Sequence, residues 1–189
     1  MNAYTIVLFI HLSALFAAFG ATALIGLALR RIRAARTCGE ALQWLGLGKS
    51  AAHVFPPALL TLLASGAYMV HDSWSWDRPW VDAGLTGIVF LGVVGDRLEG
   101  GRAKKIAGVL AADPGAAIAG RTAAALRDPL FWTASCVNPL VAFAVAFDMV
   151  NKPGPFASGA ALAIAVAVGA AAAVPLWRPR AERVAQAAE

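Results

Sequence analysis

The chain has 189 residues, of which 59% are hydrophobic and only 14% charged, with a mean hydropathy of +0.66. A soluble domain of this length needs far less apolar surface to build a core, so the composition places the chain among membrane proteins. The net charge of +5 and pI near 9.8 do not make a nucleic-acid surface. The basic residues fall in short clusters beside apolar runs, where they set membrane topology, and the partner they imply is the lipid bilayer.

A helix crosses the hydrocarbon core with roughly 20 apolar residues, and five segments approach that length. The first, over residues 4–29, contains "TIVLFIHLSALFAAFGATALIGL" with a single protonatable group, His11. It reads as a retained crossing rather than a signal peptide, because "MNAYT" has no basic n-region and the arginines follow the apolar run. Ala14, Ala18, Thr22 and Gly26 recur at every fourth position, a small-residue stripe that turns His11 toward protein rather than lipid. The loop that follows carries Arg30, Arg31, Arg33, Arg36, Cys38 and Lys49.

The second crossing covers 51–70. Pro56 and Pro57 donate no backbone bond, which leaves the carbonyls of Ala52 and His53 unpaired and bends the helix near one end, either for packing or to make a cavity or hinge. The third, over 80–96, is the shortest. Trp74, Trp76 and Trp80 in "HDSWSWDRPW" precede it and form an outer aromatic belt.

The connection over 98–128 is amphipathic. Ile106 and Leu110 form an apolar stripe beside Lys104 and Lys105, and Asp113 with Pro114 reads as an N-cap and first helical residue. It is either an interfacial segment lying on anionic lipid or a solvated basic loop.

The fourth crossing, 129–149, contains "TASCVNPLVAF". Pro139 frees the carbonyl of Ser135 close to Asn138, so Asn138 seeks a partner on another helix, as a packing node or as the lining of a small pocket. The fifth covers 156–177. Asp82 and Asp148 fall near the outer boundary, hydrated or paired with Arg78 or Lys152.

The expected architecture is therefore one all-α domain over 1–189, a transmembrane bundle of five helices. All sixteen basic residues except Arg78 and Lys152 fall on one face, counting Arg178, Arg180 and Arg183 in the tail, which puts the amino terminus outside and the carboxyl terminus in the cytoplasm.

An ionisable residue inside a membrane is a functional candidate, and His11 has two readings. It is a neutral imidazole bonded across the bundle, or it is a haem ligand or proton relay. A second haem ligand at similar depth could come only from His71, since His53 starts the second helix at its opposite end. The two cysteines, Cys38 and Cys136, form no metal-binding spacing, and no metal site is expected. No hydrolytic triad, carboxylate pair or phosphate-cradling loop is legible, so no catalytic residue is assigned and the reading leans away from an enzyme. The protein companions such a bundle implies are a membrane-protein partner or a second copy of the chain.

Four stretches carry a family resemblance: "FIHLSALFAAFGATAL", "LLASGAYMV", "RPW" and "AFDMVNKPG". Together they resemble the domain-of-unknown-function family 2269, predicted integral membrane proteins of bacteria. The resemblance implies a multi-pass bundle of the bacterial inner membrane and no particular activity. More distantly, the first helix looks like that of the short haem-type membrane protoporphyrinogen oxidase and of copper-resistance D proteins; the resemblance to the former, whose first-helix histidine is functional, implies a role for His11 alone.

Overall fold

A computed structural model of the chain describes residues 2–177, and among these the secondary structure is helical apart from one isolated bridge between Thr37 and Ala117. The elements are α1 (Ala3–Ala34), α2 (Cys38–Ala52), α3 (Phe55–Ser73), α4 (Pro79–Val93), a π-helical segment (Val94–Gly100), α5 (Gly101–Leu110), α6 (Gly120–Ala125), α7 (Pro129–Asn151) and α8 (Pro155–Trp177). The tail arginines Arg178, Arg180 and Arg183 lie outside the described residues. Among the described residues four helical stretches are long and apolar enough to cross a membrane: Ala3–Ala34, Cys38–Ser73, Gly120–Asn151 and Pro155–Trp177. Many of their large apolar side chains face outward, Phe16, Phe143, Phe156 and Val150 among them, as lipid contact requires. The third expected crossing is only 15 residues as α4, and gains its length by running on into the π segment.

The chain divides into two compact units, Met1–Arg36 with Glu40–Arg78, and Thr37–Gly39 with Pro79–Glu189. In the first, α1 packs on α3. The buried residues of α1 are Ala14, Ala21, Ala28 and Ile32, not the every-fourth set. Of that set only Ala14 is buried, and Gly26 is exposed with open space around it. The reason is geometric: steps of four residues advance about 40° each and walk off the face, whereas steps of seven drift back only about 20° and stay on it.

The basic loop after the first crossing is largely helix. Its α2 is opened by Glu40, whose Oε2 accepts from Arg36 N–H at 2.7 Å. Pro56 and Pro57 then do not kink a helix from within. They sit in the first turn of α3, where no N–H is needed, and the chain breaks at His53 and Val54 between two helices. Trp74 and Trp76 are exposed.

In the second unit α7 is the central helix, packed on α8, α4 and the π segment. Val137, Val141, Ala144 and Ala165 form its core, flanked by Phe90, Leu91, Leu140 and Leu162. Glycines allow the close approach: a Cβ on Gly169 would lie 2.6 Å from the Cα of Val137, and one on Gly87 would meet the Val145 side chain at 2.2 Å. Trp80, read as part of the belt, is instead buried at the start of α4, with Lys152 Nζ 5.8 Å from its ring centroid.

Ile106 and Leu110 of α5 turn inward and are buried, while Lys104 and Lys105 are exposed. Asp113 and Pro114 start no helix. They form a turn closed by Ala116 N–H to Asp113 C=O at 3.2 Å, since Pro at the second position followed by Gly115 suits a turn. The carbonyls of Pro114 and Ala116 accept from Gly39 and Cys38 N–H at 2.8 and 3.0 Å.

Candidate functional site

In the first unit His11 Nδ1 lies 2.9 Å from Ser65 Oγ on α3, and its Cε1 lies 3.6 Å from where a Cβ on Gly66 would stand. The imidazole thus lies beside Gly66 with room for an ordinary van der Waals contact. The Ser65 hydroxyl has one proton and gives it to the Thr61 carbonyl at 2.5 Å. Nδ1 of His11 therefore donates, and Nε2 keeps its lone pair. His71 is not brought to His11. It lies six residues beyond Ser65, about 9 Å along the axis and about 240° around it, exposed near the end of α3. The two histidines do not fit a bis-histidine haem.

The second unit brings the polar residues of α7 together around a side chain that sequence reasoning missed, Glu99. Ser135 and Asn138 are three residues apart and share a face of α7. Ser135 Oγ donates to Glu99 Oε1 at 2.9 Å, and Asn138 Nδ2 donates to Glu99 Oε2 at 2.8 Å. Asn138 thus finds the partner on another element that its position demands. Its Oδ1 is buried with no hydrogen-bond partner. Pro139 lacks an N–H, so the Ser135 carbonyl on the same turn has lost its usual helical donor.

Glu99 reaches this position because the helix widens. Gly101 N–H bonds back to Asp96 C=O across five residues, the π pattern, which re-aims the side chains within that turn, Glu99 among them. Gly95 lies beside Asn138, with an added Cβ 3.7 Å from Nδ2. The nearby cations are engaged elsewhere. Arg102 Nη1 pairs with Asp128 Oδ2 at 2.8 Å, while the other oxygen of Asp128 caps α7 by accepting from Phe131 N–H at 3.0 Å. Arg97 pairs with Asp96 at 3.5 Å, both largely exposed. Two neutral donors, rather than a positive charge, hold the Glu99 carboxylate.

A second acid lies further along α7. Asp148 was expected at the boundary, hydrated or paired, but it is fully buried on the stripe of Val137, Val141 and Ala144, and neither carboxylate oxygen has a hydrogen-bond partner. Four residues on, Lys152 takes up a left-handed conformation at φ 50 and ends the helix, its Nζ directed to the Trp80 ring. Asp82 is exposed. Among the described residues no group of three or more His, Cys, Asp and Glu could hold a metal ion, and neither Cys38 nor Cys136 is in a disulfide.

No family model, curated protein or solved structure matches this chain.

Proposed function

We propose that this protein is a multi-pass protein of the bacterial inner membrane that performs no catalysis and binds a small cation at Glu99, Ser135 and Asn138. Its five crossings are α1, α3, α4 with the π segment, α7 and α8, with the amino terminus outside and the arginine-rich connections in the cytoplasm. The observation that carries the reading is the Glu99 carboxylate, held by two neutral donors beside a buried Asn138 oxygen that has no donor. An unsatisfied buried acceptor costs about 1–3 kcal/mol, and an unpaired buried charge costs more. A small cation offsets both, because hard oxygen ligands of this kind suit it and its charge balances that of Glu99.

The test is thermal unfolding of detergent-purified protein in sodium, potassium or methylammonium chloride, against choline chloride at equal ionic strength. At least one small cation raises the midpoint of the wild type over choline, and Glu99→Gln abolishes the rise. Identical responses of wild type and Glu99→Gln to all four salts would refute the site. Protons compete for the same carboxylate, so the rise shrinks as pH falls.

One observation favours a second reading, a haem-associated redox protein with His11 as ligand. Ser65 fixes the His11 tautomer and leaves Nε2 with its lone pair, the arrangement in which a metal-binding histidine is oriented by its other nitrogen. A Soret band in the purified protein that disappears in His11→Ala would support it; a colourless folded protein would remove it.

A further inference from the structure

A cleft of about 390 Å³ opens on the second unit between α5 and the chain that returns toward α7. One wall is a face of α5 and its exit, where Lys105, Gly108, Val109 and Ala112 follow one another at helical spacing. The opposite wall is Asp113, Ala116, Arg121 and Thr122. The burial of Ile106 and Leu110 on the other side of α5 fixes which face looks into the cleft. Thr122 is occupied, with its Oγ1 donating to the Ala119 carbonyl and accepting from the Ala119 N–H. The two cations are therefore the groups left to meet a ligand.

We propose that this cleft binds the phosphodiester of an anionic phospholipid headgroup. The charges at its rim, Lys105 and Arg121 against Asp113, sum to one positive charge, which matches the single negative charge of a diester better than the dianion of a phosphate monoester. The volume exceeds what a bare phosphate fills, and Val109, Ala112 and Ala116 supply apolar wall for a glycerol unit. Basic pockets beside membrane helices recognise anionic lipids in this way. The site is independent of the cation reading for Glu99.

Gly108 makes the inference testable without touching charge. A Cβ added there meets nothing within 4 Å, so Gly108→Leu enters the cleft without a clash at its root. Binding is measured by calorimetry on the detergent-purified full chain with short-chain phosphatidylglycerol, phosphatidylcholine of the same chain length, and inorganic phosphate. Phosphatidylglycerol binds saturably and phosphatidylcholine does not. The Lys105→Ala/Arg121→Ala protein loses affinity roughly thirtyfold, the worth of two cations near an anionic headgroup. Gly108→Leu, with its charge intact and its helical circular dichroism unchanged, also loses the binding. Equal binding of the two lipids would overturn the proposal, as would phosphatidylglycerol binding that survives Gly108→Leu, which marks diffuse attraction to a basic surface. Inorganic phosphate binding more tightly than phosphatidylglycerol would assign the cleft to a soluble phosphate and overturn the lipid source.

Discussion

Asn138 and Glu99 show where a single residue can and cannot be read. An amide in the middle of an apolar run has to find a partner on another element, so the interhelical bond of Asn138 follows from the sequence, and Ser135 and Pro139 follow with it. Glu99 was hidden because it sits in "DRLEGGRAKK", a charged stretch that looks solvated, and because a π turn, which leaves no mark in composition, rotates it inward. Asp148 misled for the opposite reason: Lys152 at the next turn looks like its partner, and the left-handed exit sends that lysine to Trp80 instead. Replacing Asp148 by Leu, of similar size, should raise stability by about 1–3 kcal/mol in reversible detergent unfolding, since a buried carboxylate without a partner is exchanged for an apolar side chain. A loss of stability would reveal a partner for the carboxylate. At His11 the expectation is a contrast: Gln keeps a donor for Ser65 and unfolds within about 0.5 kcal/mol of wild type, whereas Leu costs about 1 kcal/mol.

Elements were legible where hydrophobic length set them and obscure where capping did. The long runs of α1, α7 and α8 are visible as apolar stretches, whereas the cap of α7, Asp128 ahead of Pro129, emerges only in the structure. Capping logic failed at Asp113 and Pro114, because Gly115 and the strand-like pairing with Thr37–Gly39 favour a turn. The contact between α7 and α8 rests on missing side chains. Gly169→Ala should cost about 1–3 kcal/mol, since its new methyl runs into the backbone of Val137 rather than into a side chain that can move. Gly92→Ala on α4, which has open space, should gain about 0.5–1 kcal/mol from helix propensity. Equal effects of the two in an unfolding titration would show that the close crossing contributes nothing.

For the whole molecule, composition alone pointed to a membrane, and the described residues supply four helical stretches long and apolar enough to cross one. The count of five turns on α4, too short by itself, and on whether its π continuation lies in hydrocarbon. Compartment-sensitive reporters fused before α1 and after Trp177 should give opposite signals, and one inserted at Gly115 should agree with the carboxyl-terminal fusion. Matching signals from the two ends would mean an even number of crossings and would withdraw α4 from the membrane.

The pairing of Thr37–Gly39 with the turn at 114–117 has a consequence for how the second unit can be watched in motion. Cys38 is wholly enclosed, and its own N–H is tied to Ala116. An alkylating reagent therefore reaches that sulfur only in the moments when this short clasp has let go. The pace at which the thiol is consumed is a clock for the clasp, wound into the native chain without any label having to be added.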